Sequence, residues 1–295
     1  IIYTVIDLNG NTSTKIIQVT IEDGSLPIVI TQDITRNLDP SGNISITSAE
    51  INNGSSDNCS IQSILLDKSD FDCSNVGDNT VQLTITDGYG NTNIGFATVE
   101  IIDNTNPTLV LQDITVKLDG NGSYSFNATD VVVTDADNCV NTTLTTTTTA
   151  FDCTNIGANT VTITSTDNSG NQTTLTADVE VEDDINPTAI INDNIEFDLD
   201  ATGNITITAD QINNGSSDNC TMNTPVLSKT DFDCSMTGTQ IIHFTITDQS
   251  SNSTTVPVNV IIRDLIEPVA KGSSLTVNLD ATGNFSITPA DVENG

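Results

Sequence analysis

Two kinds of residue in this sequence recur at spacings that could do chemistry. Cysteines come as Cys59 and Cys73, Cys139 and Cys153, Cys220 and Cys234, each pair in the same i, i+14 relation. Carboxylates gather before a set of prolines: Asp23, Asp103, Asp183 and Asp264 each stand four residues ahead of Pro27, Pro107, Pro187 and Pro268. An even thiol count whose spacing is unlike a zinc motif points to disulfides in an oxidising compartment. Reduced thiols of a cytosolic protein are the alternative. Oxygen-rich clusters of Asp and Asn suit a hard cation such as Ca²⁺, which takes six to eight oxygen ligands.

The prolines recur with a period of about 80 residues, and so do the turn aspartates Asp7, Asp87, Asp167 and Asp248. The run INNGSSDNC at 51–59 returns unchanged at 212–220. A fixed period of this length means a repeat architecture. Three complete modules run 27–106, 107–186 and 187–267. Residues 1–26 match the C-terminal part of a module and 268–295 the N-terminal part, the phase expected of a segment within a longer array.

Each module reads as short period-2 segments separated by Gly, Asn and Asp turns, the pattern of a β-sandwich. In the penultimate strand of the middle module Val161 and Ile163 should point inward, and in the last strand Ala177, Val179 and Val181. Val81, Leu83, Ile85, Ala97, Val99 and Ile101 are their counterparts one module earlier. Phe71, Phe151 and Phe232, each before Asp-Cys, read as core anchors. His243 falls on the outward face of its strand. The expected fold is therefore all-β: tandem immunoglobulin-like sandwiches of about 80 residues in a linear array.

Bonded cysteines have Cα atoms within about 7 Å, whereas a straight strand covering the distance from Cys59 to Cys73 would span roughly 45 Å. If each pair is joined within its module, as Cys59–Cys73, Cys139–Cys153 and Cys220–Cys234, the chain must double back, most simply near Leu66–Lys68. Closing such a loop is worth about 3 kcal/mol.

The last strand of a module leads into the outgoing linker, so the turn before it lies at the opposite pole, facing the incoming linker. That places Asp103, Asn104, Asn106, Asp137 and Asp167 as candidate metal ligands at one junction. At the next they are Asp183, Asp184, Asn186, Asp218 and Asp248. The plainer reading of these residues is turn chemistry, since Asp and Asn initiate turns.

With 7 basic and 40 acidic residues the formal charge is −33. Nucleic acid is excluded as a partner, because a polyanion needs a basic footprint. No apolar run reaches the roughly 18–20 residues of a membrane helix, so no membrane insertion is expected in this segment. One histidine and acids that repeat with every module speak against an enzyme.

The residues D-N-C (57–59), F-D-C-S-N-V-G (71–77) and N-T-V-Q-L-T-I-T-D-G-Y-G-N (79–91) resemble the hyalin repeat. The second cysteine pair often carried by that repeat has no counterpart at 109–113 or 173–179. The Asn/Thr/Asp-rich form looks like the arrays of giant cell-surface adhesins of Bacteroidota, including SprB-type gliding adhesins exported by type IX secretion. The resemblance implies an extracellular, outer-membrane-attached location and a stalk that supports attachment or gliding. An array that itself binds glycans or protein surfaces, or packs laterally into filaments, is the alternative.

Overall fold

The structure is a computed structural model that describes residues 1–292. Its contacts divide the chain into two compact units. The first is Ile1–Ile114, Phe126–Thr149 and Asn159–Val179; the second is Thr115–Ser125, Ala150–Ala158 and Glu180–Gly295.

The first unit opens with an exposed hairpin, β1 (Ile2–Ile6) and β2 (Thr12–Ile16). The module 27–106 follows as β3 (Ile34–Asn37), β4 (Asn43–Ser45), α1 (Ser48–Ile51), β5 (Ile61–Leu66), β6 (Asp70–Asp72), β7 (Gly77–Asp87) and β8 (Thr92–Ile102). One sheet has the order β3-β8-β7-β5, with β3 parallel to β8 and the other pairs antiparallel. Strands β4 and β6 pair separately, and the bridges Ile28–Ser56 and Thr31–Asn52 tie the first segment to the loop after α1. Alternation along β7 and β8 turns Val81, Leu83, Ile85, Ala97, Val99 and Ile101 into the core with Leu38, Ile46, Ile51 and Phe71. These aliphatic faces close a sandwich with few aromatics.

In the middle module β9 (Thr108–Leu111) is followed by β10 (Ile114–Lys117), which falls at the division between the units, and then by β11 (Ser123–Ser125) of the second unit. Within the first unit β9 pairs with β12 (Val132–Ala136), and β13 (Thr143–Thr146) pairs with Ile163–Thr166. Val161, Ile163, Ala177 and Val179 are buried.

In the second unit β11 pairs with β14 (Ala150–Asp152). Phe151 and Val181 are buried here. Its main body is the module 187–267. A sheet with Ile195–Asp198 parallel to Ser253–Arg263 continues antiparallel to Gly238–Thr247 and then to Val226–Leu227. Asn204–Thr206 pairs with Asp231–Asp233. Phe232, Phe244, Ile246, Val258, Val260 and Ile262 form the core, while His243 is exposed. The chain is thus all-β, built from tandem immunoglobulin-like sandwiches.

The cysteine pairing within modules is overturned. The bonds are Cys73–Cys139 and Cys153–Cys220, with Cα atoms 5.2 and 5.6 Å apart. Cys59 and Cys234 are free and exposed. The reason lies at residues 67–69, where the chain does not double back. Strand β5 runs antiparallel to β7, and the chain then crosses to the other sheet and continues as β6 beside β4. Cys59 and Cys73 therefore end at opposite poles of the module. Cys59 lies by Asp23 at the incoming end, and Cys73 beside Gly42 at the outgoing end.

Candidate metal centre at the module junctions

Each junction is built from a linker aspartate, an Asp-Asn-Cys loop and an Asp-x-x-Gly-Asn-like turn. The junction at 103–107 lies wholly within the first unit and that at 183–187 wholly within the second.

The turn aspartates organise their own hairpins. The Asp167 carboxylate accepts the backbone N–H of Asn171 at 2.8 Å and its side-chain amide at 2.8 Å. Asp248 does the same with Asn252. The same asparagines reach across the junction. Asn171 Nδ2 donates to the Asp103 carbonyl at 3.0 Å, and Asn252 Nδ2 to the Asp183 carbonyl at 2.9 Å. Turn and linker are thus joined by one side chain.

The Asp-Asn-Cys loop closes the arrangement from the other side. Cys139 N–H donates to Asp137 Oδ2 and Cys220 N–H to Asp218 Oδ2. Asn138 Nδ2 donates to Asp103 Oδ1 and to the Asp39 carbonyl, both at 3.3 Å. Asn219 Nδ2 donates likewise to Asp183 Oδ1 at 3.1 Å and to the Asp119 carbonyl at 3.2 Å. The disulfides then fix Cys139 and Cys220 to the preceding module.

In the second unit one carboxylate oxygen from each of Asp183, Asp218 and Asp248 lies within 4.8 Å of the others. Asp183 is 7% exposed and Asp248 1%. Burial, followed by the nearby charges of Asp183 and Asp248, pushes the Asp218 carboxyl above its ordinary pKa. In the first unit the corresponding group is Asp103, Asp137 and the Cys139 sulfur, which is committed to its disulfide. Asp167 is buried nearby, linked to Asp103 through Asn171. A third group, Asp23, Asp57 and Asp87, stands at the first linker.

Several buried oxygens at these junctions accept no hydrogen bond: Asp137 Oδ1, Asn138 Oδ1, Asp183 Oδ2, Asp218 Oδ1 and Asn219 Oδ1. A buried oxygen without a partner is costly. Orphaned carboxylate and amide oxygens among carboxylates of one sign fit a hard cation. The available donors are all oxygen, which does not suit a thiolate-seeking metal.

Asp167 and four further sequence candidates fall outside these groups. Asn104 donates to Asn37 Oδ1 on the surface, and Asp184 is paired with Lys117 at 2.5 Å. Asn106 and Asn186 stand beside the buried Pro107 and Pro187 and are exposed. Sequence reasoning missed Asn138, Asn219 and Asp57, and it singled out Asp23 and Asp87 as linker and turn residues without joining them into a ligand set. The signal was present: the same Asn stands between Asp and Cys in every module.

No protein-family model matches the chain, and no curated protein does. Among solved structures it is similar to protocadherin gamma B2 extracellular cadherin domains 1–5, with 13% identity over 90% of this chain and a TM-score of 0.30. The protocadherin gamma B4 extracellular domain matches with 13% identity over 88% of this chain, at a TM-score of 0.31. The chain spans 65% and 54% of the length of those two structures. Mouse cadherin-23 domains EC22–24 match with 12% identity over 81% of this chain and 99% of that one, at a TM-score of 0.30. The fold class rests on the chain's own strands and cores: tandem immunoglobulin-like β-sandwich modules.

Proposed function

We propose that the chain is a stalk segment of a large extracellular adhesin, of the hyalin-repeat type found in giant Bacteroidota surface proteins of the SprB kind. In this reading it supports surface attachment or gliding from an outer-membrane-attached protein, and it catalyses nothing. The observation that carries the reading is the junction itself. Successive modules are joined by a disulfide as well as by the backbone, and carboxylates of both modules face one another there. Disulfides support an extracellular location. Among the described residues no helix is long and apolar enough to cross a membrane.

Calcium completes the reading. Asp183, Asp218 and Asp248 with the Asn219 side-chain oxygen would hold one ion. Asp103 and Asp137 with the Asn138 oxygen would hold another. The ion neutralises like charges that otherwise repel across a short linker. Elsewhere the high negative charge keeps neighbouring stalks soluble and apart.

The experiment is deletion of whole modules from the native gene. A stalk tolerates the loss of one or two modules, with adhesion retained and the displayed filament shortened. Loss of ligand binding on removal of a single internal module, with the filament still displayed, makes the array itself the binder.

A further inference from the structure

The disulfide pattern gives the chain a second covalent route along its length. From Cys59 the backbone runs directly to Cys73, and the bond passes to Cys139. A segment of equal length leads from there to Cys153, whose bond passes to Cys220, and a third such segment leads to Cys234. Everything else between Cys59 and Cys234 lies inside two closed loops. Those loops contain β7, β8 and both linkers, Asp103–Pro107 and Asp183–Pro187.

We propose that this route is a tension cable: force applied along the array is carried by the three short segments and the disulfides, and bypasses the linkers and the long hairpins. Each segment reaches at most about 50 Å. In the segment 59–73, strands β5 and β6 are already near full extension, so little slack remains. Strand β5 is also hydrogen-bonded to β7 from Ile61–Asp87 to Leu66–Leu83, along the direction of pull. Those bonds are loaded together in shear and not opened one at a time. The segment 59–73 thus has little length left to give under load.

The same construction is repeated at each outgoing cysteine. Cys73, Cys153 and Cys234 all pack against a positive-φ glycine: Gly42, Gly122 and Gly203. Cys234 Sγ lies 3.5 Å from the Gly203 carbonyl, as Cys73 Sγ lies 3.7 Å from that of Gly42.

The test is single-molecule pulling on the whole chain with thioether-linked handles on the two free thiols, Cys59 and Cys234. With both bonds intact, the contour between the handles should not exceed about 160 Å. Reductant should then release the residues held between the bonded cysteines, whose separations are 66 and 67. The expected gain is about 450 Å. The double variant Cys73→Ser/Cys139→Ser should release about half of that before any reductant is added. Contour length follows covalent connectivity, so a variant that fails to refold still gives an answer. A contour above about 500 Å in the oxidised chain would overturn the proposal, and so would a reductant-dependent gain of only about 50 Å. The cable requires this pairing. A negative result here also removes the junction disulfides that support the stalk reading, which module deletion then decides by itself.

Discussion

Gly122→Ala should loosen one junction in a way that can be measured on its disulfide. Gly122 has φ +72°, and a Cβ built on it would lie 2.6 Å from the Asn219 carbonyl oxygen and 2.6 Å from Cys153 Sγ. Neither neighbour is the free end of a flexible side chain. The first is backbone, and the second is held by its bond to Cys220. Two costs must be separated. The left-handed backbone costs an alanine about 1–2 kcal/mol whichever the redox state. The clash exists only while the Asp-Asn-Cys loop is docked. Relieving it moves the loop by about 1 Å, since carbon contacts are comfortable only near 3.5 Å. That breaks the Asn219 Nδ2 bond to the Asp119 carbonyl, now 3.2 Å, worth about 1 kcal/mol. With residual overlap, the docked state should lose about 1.5–3 kcal/mol, a factor of about 10–100 in the equilibrium for Cys153–Cys220. Titration against a glutathione redox buffer, with thiol trapping and mass spectrometry, reads that equilibrium. Gly203→Ala is the control, with φ +78° and a Cβ 2.6 Å from Cys234 Sγ but no bond to close. It should leave the Cys153–Cys220 midpoint unchanged. A Gly122→Ala midpoint within twofold of the parent chain would refute the packing argument.

Three further outcomes follow from the junctions and cores. Calcium should raise the melting temperature of the parent chain, and Asp218→Asn should reduce that increment by the share of the 183–187 junction while leaving stability in chelator equal or higher. The sign follows from its raised pKa: without a cation the Asp218 charge disfavours folding above the ordinary carboxylate range, and acidification relieves it. Glu50 behaves oppositely. Arg36 and the Thr47 N–H hold its pKa down from 4.5 to about 2, so its stabilisation is present above pH 4.5 and is lost as the pH falls towards 2. The pair is about one-third exposed, so solvent screening leaves about 1 kcal/mol, measurable as the cost of Glu50→Gln at pH 7 and its absence near pH 2. Phe232→Ala should cost about 3–5 kcal/mol by urea unfolding, because a sandwich so short of aromatics has nothing to fill the cavity.

The strands were legible because burial is periodic. Val81, Leu83 and Ile85 alternate with Gln82, Thr84 and Thr86, and only one register buries the aliphatic set. Phe71, Phe151 and Phe232 are buried as their position before Asp-Cys suggested. The disulfide partners were not legible from the cysteine spacing, because spacing does not say whether a chain turns within its sheet or changes sheet. The change at 67–69 is written in no special residue: Asp67 and Gln82 simply exchange bonds where β5 ends. The junction oxygens were half legible. Asp-x-x-Gly-Asn declares a turn, but only the folded chain shows that its Asn also grips the linker of the same junction. Asn104 and Asn106 share the linker's composition, yet the linker backbone directs Asp103 inward and leaves both asparagines outside.

The central claim, that successive modules are joined by disulfides across their junctions, is tested most directly by peptide mapping without reduction. Free thiols are alkylated first, and the chain is then digested at its acidic residues. The account predicts cross-linked peptides joining Cys73 to Cys139 and Cys153 to Cys220, with Cys59 and Cys234 carrying the alkyl label. Peptides joining Cys59 to Cys73, Cys139 to Cys153 or Cys220 to Cys234 would contradict it.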